Sequence, residues 1–223
     1  MYTKGAEWVN EYYGRTTDLS YCDNDALGFY NKLNGTKKFA FGDKSAWDQD
    51  FEDEGVGKLP AGTANKFVDT VDIMYFAGHG YPEGLVFGRT AYDNGIASPS
   101  EMRLGKIRLK WLVLSACRVL ERSPKMFEIL QPVFNGLHYI LGFETNCSDV
   151  KSRGEIFAAY LNWGISIRQA WISACVETES SSYRCAYMRV DTKEPTTYYD
   201  QWIGYRAPTP KKYDSICHFS QNC

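Results

Sequence analysis

Three apolar runs constrain this chain more than any other feature. They are VDIMYFAG (Val71–Gly78), RLKWLVLSAC (Arg108–Cys117) and LHYILGFETN (Leu137–Asn146). Each is a short continuous hydrophobic stretch closed by small or polar residues. That pattern reads as a strand buried on both faces. The intervals between the runs are long enough for the crossovers that parallel strands require. Helical patterns fill much of the rest. DNDALGFYNKLNG places Ala26, Leu27, Phe29, Tyr30 and Leu33 on one stripe, with Asp23 or Asn24 as cap and Asn34-Gly35 as stop. SPKMFEILQPVFNG is helical with a proline interruption, and SRGEIFAAYLNWG and SIRQAWISACVETES are two helices split by Gly164. AEWVNEYYG (6–14) and KKFAFG (37–42) add two strands. YPEGLVFGRTAYDNGIASPS reads as a hairpin and loop, turning at Gly84 and Asn94-Gly95. Strands alternating with helices give an α/β fold, a mostly parallel sheet flanked by helices.

At 223 residues the chain is one α/β domain with a small appendage. A net charge of -2 offers no basic surface, so neither nucleic acid nor an anionic membrane is expected as partner. No stretch approaches the roughly 20 apolar residues of a membrane-spanning helix. The start, MYTKGAEWVN, has no apolar signal core, so the protein is either cytosolic or has lost a leader. There are seven cysteines, at 22, 117, 147, 175, 185, 217 and 223, none in a C-x-x-C pair. Four lie in the last quarter. Bridges are expected within Cys175, Cys185, Cys217 and Cys223, with Cys117 left free. Sequons at Asn34 and Asn146 accompany them. The expected bridges tilt the compartment toward the extracellular one, and the sequons add little to that. The oligomeric state is open.

In parallel sheets, functional residues gather at the carboxyl ends of the strands. His79 stands between two glycines just past the first apolar run, and Cys117 ends the second. If the two strands are neighbours, the pair emerges at one edge. A thiolate beside a base is a nucleophile for carbonyl carbon. A helix starting soon after Cys117 would make its setting electropositive. Gly78 permits a sharp turn, and Gly80 a close approach of its N–H to a substrate carbonyl. The Gly80 and Cys117 N–H groups are the expected oxyanion donors. His138 and His218 read as structural. The acidic run Asp43, Asp48, Asp50, Glu52, Asp53 and Glu54 offers oxygen ligands for calcium. It fails the EF-hand register, where the sixth position would be Asp53 instead of glycine. A solvated acidic face is the favoured reading, and no metal or other cofactor is expected, with calcium as the alternative.

A hydrophobic strand, His-Gly, a second hydrophobic strand and Ala-Cys together resemble the caspase-type cysteine peptidases. The matching pieces are VDIMYFAGHG and KWLVLSACRVL. The third run and its helices, through the QAW of Gln169–Trp171, look most like the CHAT branch. The resemblance covers roughly residues 6–176. It implies a caspase-like three-layer sandwich, assigned to residues 1–181; residues 182–223, outside the resemblance, are expected as a Cys-bearing extension packed on the same domain. It implies a cysteine endopeptidase with a His79/Cys117 dyad acting on a protein or peptide. Ser115 and Val119 replace the Gln and Gly of the caspase signature, so the resemblance is not to caspases proper and their aspartate preference is not carried over. By position, the pocket for the P1 side chain would involve the loop 13–15 with Arg15, then Ser115 and Glu144. Glu144 would pair a basic P1 residue, whereas Arg15 would cancel that charge or select an acidic one. The alternative is a caspase-like module without catalysis that binds glycans or proteins, a role that the aromatic surplus would suit.

Overall fold

The computed structural model describes residues 2–56, 62–90, 94–191, 203 and 215–223. In chain order its strands are β1 (Thr3–Trp8), β2 (Thr36–Gly42), β3 (Ile73–Ala77), β4 (Gly80–Tyr81), β5 (Gly84–Val86), β6 (Ile96–Ala97), β7 (Trp111–Ser115), β8 (Tyr139–Phe143), β9 (Arg184–Asp191) and β10 (Ser215–Asn222). The α-helices are α1 (Cys22–Lys32), α2 (Met126–Leu130), α3 (Arg153–Asn162) and α4 (Ile167–Thr178). Seven strands form one sheet in the order β10-β9-β8-β7-β3-β1-β2. The three apolar runs are its adjacent middle strands β3, β7 and β8, with every residue buried. Pairing is parallel from β2 through β8 and antiparallel at β9 and β10.

Alternation along β3 divides the interior into two layers. Ile73, Tyr75 and Ala77 face a core shared with Ala26 and Phe29 of α1, Phe157 of α3 and Trp171 of α4. Met74 and Phe76 face the opposite core. That second core is closed by α2, by short 3-10 turns at Asp48–Phe51 and Val68–Thr70, and by the small sheet β4-β5-β6. The crossover from β3 to β7 is thus hairpin and loop, as its turn residues imply. Trp171 is the keystone of the helical layer. It is fully buried, its Nε1 donates to the Gly142 carbonyl at 3.2 Å, and its ring meets Phe143 and Phe157 edge-on. Among the described residues no helix is long and apolar enough to cross a membrane.

Several local expectations are corrected. The first strand starts at Thr3 and ends at Trp8, although the aromatic pattern runs on to Tyr12. Val9 still donates to the Ala77 carbonyl, but Tyr12 then turns inward beneath His79 and Tyr13 takes a φ of 51°. Helix α1 begins at Cys22, and neither Asp23 nor Asn24 caps it. The Asp23 N–H of its first turn, and the two N–H groups just before the helix, are held from elsewhere. Asn10 Oδ1 accepts from Asp23 N at 3.1 Å, and Asp149 accepts from Ser20 N and Tyr21 N. The acidic run is not a solvated face. Asp48, Asp50, Glu52 and Asp53 are all buried, and the carboxylates of the three aspartates pin loops. Asp48 accepts from Gly95 N, Asp50 from Thr63 Oγ1, and Asp53 from Gly55 N and Lys106 Nζ. Among the described residues no group of three or more His, Cys, Asp or Glu is placed to hold a metal.

The segment from Tyr183 joins the main sheet at its edge, β9 along β8 and β10 along β9. No two of the seven cysteines stand at disulfide distance. Cys175, Cys185 and Cys223 lie within mutual hydrogen-bonding reach. Cys217 does not join them. Its register partner is Arg189, four residues along β9 from Cys185, and its sulfur bonds to Asp191 at 2.7 Å. Four residues of strand span about 13 Å, beyond the roughly 7 Å limit between bridged Cα atoms.

Replacing Trp171 by alanine removes its buried ring and leaves a cavity. The expected destabilisation is about 3–5 kcal/mol in urea unfolding. Trp163, which is 73% exposed, should tolerate the same change within about 0.5 kcal/mol.

Candidate active site

At the ends of β3 and β7, Ala77 pairs with Ser115 in parallel register. His79 and Cys117 each lie two residues further on, at the same carboxyl edge of the sheet. Both line one cavity of about 90 Å³, together with Asp25, Ser115, Cys147 and Asp149. The glycines flanking His79 answer to crowding. A Cβ on Gly78 would meet Phe76 at 2.8 Å and the Tyr12 hydroxyl at 2.9 Å. A Cβ on Gly80 would lie 2.5 Å from Val119 Cγ1 and 2.9 Å from Ala116 Cβ. Only glycine lets the loop after β3 settle against the loop carrying Cys117.

His79 is held at both ends. Its backbone N–H donates to the Tyr12 hydroxyl at 2.7 Å, and the Tyr12 ring lies tilted against the imidazole. Its Nε2 is 2.8 Å from the Thr17 carbonyl oxygen. A carbonyl can only accept, so Nε2 carries the proton and Nδ1 is left for proton transfer.

Cys117 is set by the loop after β8. Arg118 follows it with a φ of 58°, and Arg118 N donates to the Thr145 carbonyl at 2.9 Å. The two loops are thereby laid side by side. Cys147 N donates to Cys117 Sγ at 3.2 Å, and the two sulfurs are 3.6 Å apart. The Cys147 thiol, its N–H and the Arg153 guanidinium favour the Cys117 thiolate against burial, and its pKa falls to about 6. Cys147 shifts the other way, well above the usual thiol range, because it gives its hydrogen bond to Cys117 and is buried. The helix expected soon after Cys117 begins only at Met126. Cys147 and Arg153 take the place of its dipole.

The cavity floor is a buried polar network. Ser115 Oγ donates to Asp25 Oδ2 and accepts from Arg153, both at 2.6 Å. Asp25 also accepts from Tyr75 and from Gly154 N. Arg153 continues to Glu179, to the Ser148 carbonyl at 3.1 Å, and over the Phe143 ring. Burial raises the Asp25 pKa, and Arg153 opposes that rise. Ser115 is therefore at the cavity but fully engaged.

The structure does not bring the other two expected pocket residues there. The Arg15 guanidinium donates to the carbonyls of Phe87, Asn94 and Gly95, fastening a distant loop. Glu144 pairs with Arg184 at 3.5 Å. The acids on the cavity wall are Asp25 and Asp149. Gly80 packs beside the Cys117 loop, where a Cβ would lie 3.1 Å from the Cys117 carbonyl oxygen, but it is not part of the cavity wall. His138 is wholly buried in the core, and His218 reaches the Leu120 carbonyl at 3.3 Å, so neither lines the cavity. Cys147, Asp149 and Arg153 escaped the sequence reading. The rule that selected His79 and Cys117 also selects the polar loop after the third apolar run, where Cys147 and Asp149 stand.

The thiolate is the reactive form of cysteine. Alkylation of Cys117 by iodoacetamide should rise with pH to a plateau, with a midpoint near about 6. Cys147→Ala should move that midpoint upward, toward the ordinary thiol range. Peptide mapping across a pH series reads both, and a wild-type rate still climbing above pH 8 would contradict the assignment.

No curated protein matches this chain. A family profile does, over residues 6–220, and its description is a domain of unknown function, DUF6345. That match takes in nearly all of the sheet, the layers on both of its faces and the cavity. The chain belongs to the DUF6345 family.

Proposed function

We propose that the chain is a cysteine endopeptidase with a His79/Cys117 dyad, built as a caspase-like sandwich closest to the CHAT branch. The observation that carries this reading is the parallel register of Ala77 with Ser115, which sets the histidine and the cysteine on the wall of one cavity. The polarised sulfur supports it, since Cys147 N donates to Cys117 Sγ and the two sulfurs lie within hydrogen-bonding distance.

The steps follow from the groups present. Cys117 attacks the scissile carbonyl carbon as thiolate, and its proton resides on His79 Nδ1. Negative charge develops on the carbonyl oxygen, beside the Gly80 and Cys117 N–H groups. As the C–N bond breaks, His79 Nδ1 protonates the leaving amine. The product is a thioester on Cys117. Water then attacks the thioester, giving one proton to Nδ1; the C–S bond breaks, Cys117 leaves as thiolate beside protonated His79, and the acid product loses its remaining proton to solvent. Thr17 holds Nε2 throughout, so the ring presents the same nitrogen in both halves. The third group is a backbone carbonyl, and no carboxylate is needed to orient the imidazole.

The reading keeps a basic P1 residue but changes its partner. Asp149 and Asp25 lie on the cavity wall, and Asp25 is already bonded to Ser115, Tyr75 and Gly154 N. Asp149 is the acid assigned to the P1 Lys or Arg.

Cys117→Ala and His79→Ala should each abolish cleavage of a Lys- or Arg-P1 peptide library, and the double variant should be no worse than either alone. Asp149→Asn should lower kcat/KM on those peptides by about tenfold or more, since one charge-assisted hydrogen bond is worth about 1.5–3 kcal/mol. Glu144→Gln should leave it unchanged. Full activity in Cys117→Ala, with contaminating protease excluded, would overturn the proposal.

A further inference from the structure

Of seven cysteines, three meet at the cavity: Cys117, Cys147 and Cys22. The peptidase reading uses only the first as a nucleophile. Cys147 is the unabsorbed group. It stands 3.6 Å from Cys117, sulfur to sulfur, on a loop whose backbone is already tied to the Cys117 loop. Closing that gap to the roughly 2.05 Å of a disulfide needs side-chain rotation more than backbone travel. Cys22 is engaged differently. Its sulfur faces the Asp149 carboxylate at 3.8 Å, and burial together with that carboxylate holds its proton.

We infer that Cys117 and Cys147 form a peroxide-responsive modification site, in which Cys147 resolves oxidised Cys117 into a reversible disulfide that blocks the nucleophile. The oxidant is hydrogen peroxide or an organic hydroperoxide. In the first step the Cys117 thiolate attacks the distal peroxide oxygen. The O–O bond breaks, Cys117 becomes a sulfenic acid, and hydroxide or alkoxide leaves and takes a proton. In the second step Cys147 sulfur attacks the sulfenic sulfur. The S–O bond breaks, and the departing hydroxide combines with the Cys147 proton as water. Two electrons pass from the two thiols to one peroxide. A dithiol reductant reverses the state by thiol–disulfide exchange.

The order of events is built into the pair. Cys117 carries the lowered pKa and a place on the cavity wall that a peroxide can reach, so it is oxidised first. The strongest influence holding the Cys147 proton is its hydrogen bond to Cys117. Conversion of Cys117 to a neutral sulfenic acid removes that anionic acceptor and frees Cys147 to attack. The same proximity thus serves two ends: it keeps Cys117 ionised when reduced and traps it when oxidised. A sulfenic acid without such a neighbour proceeds to the sulfinic acid, which a dithiol does not reduce.

The experiment uses the full reduced chain and a short pulse of hydrogen peroxide. A non-reducing digest is then mapped by mass, and Cys117 is probed with an alkylating reagent before and after dithiothreitol. In the wild type a Cys117–Cys147 cross-linked peptide should appear, alkylation of Cys117 should be lost, and dithiothreitol should restore it fully. In Cys147→Ser the same pulse should carry Cys117 to the sulfinic acid, and dithiothreitol should not restore alkylation. Sulfinic acid at wild-type Cys117 without the cross-link would overturn the inference, and so would a cross-link to Cys22. The wild-type measurement decides without the variant. None of these readouts requires peptide cleavage, so failure here and failure of the peptidase proposal are distinguishable.

Discussion

The buried guanidinium of Arg153 organises the functional edge of this molecule. Arg153 is 1% exposed, and a guanidinium can enter a protein interior only if its donors and its charge are met. It is met by Glu179 after α4, Ser115 at the end of β7, Thr178, and the Ser148 carbonyl of the loop after β8. Through Ser115 the network reaches Asp25 of α1, and through Asp25 it reaches Tyr75 of β3 and the first turn of α3. One charge therefore fixes three helices against the carboxyl edge of the sheet. Removing one partner of such a buried pair generally costs about 3–5 kcal/mol, because the other charge is stranded.

That network is also the floor of the cavity. It sets the height of the loop carrying Cys147 through Ser148, and Cys147 in turn polarises Cys117. The positive field that lowers the Cys117 pKa has the same source, since Arg153 contributes to it while Glu179 opposes it. The catalytic pair proposed here is thus supported from below by fixed charge and from the sides by Tyr12 and Thr17 on His79. Such sites keep their geometry because second-layer groups are packed and bonded, with little freedom to drift.

The sequence made the middle of the sheet legible. Continuous apolar runs have few alternatives to a doubly buried strand, and the strand-end rule then selected His79 and Cys117. It failed where side chains serve distant partners. Lys4 lies buried in β1 at 1% exposure, its ammonium reaching the Leu33 carbonyl beyond the end of α1, so a polar Thr-Lys-Gly stretch hides the strand's true start. The acidic run looked like solvent-facing charge because nothing local announces that Asp48 caps Gly95 or that Asp53 meets Lys106. Arg15 and Glu144 were placed in the pocket by position along the chain. The structure spends them on loop carbonyls and on Arg184. Asp149 and Arg153 act across more than a hundred and nearly forty residues of sequence, and periodicity is blind to such spans.

The central claim is that Cys117 attacks a carbonyl with His79 moving the proton. Trapping the covalent intermediate tests it most directly. The full chain is mixed with an activated ester of a peptide ending in lysine, quenched in acid within the first turnover, and mapped by mass. The account predicts an acyl group in thioester linkage on Cys117, formed rapidly in the wild type and cleared slowly in His79→Ala. No acyl group on Cys117, or acylation at an equal rate on the other cysteines, would contradict it.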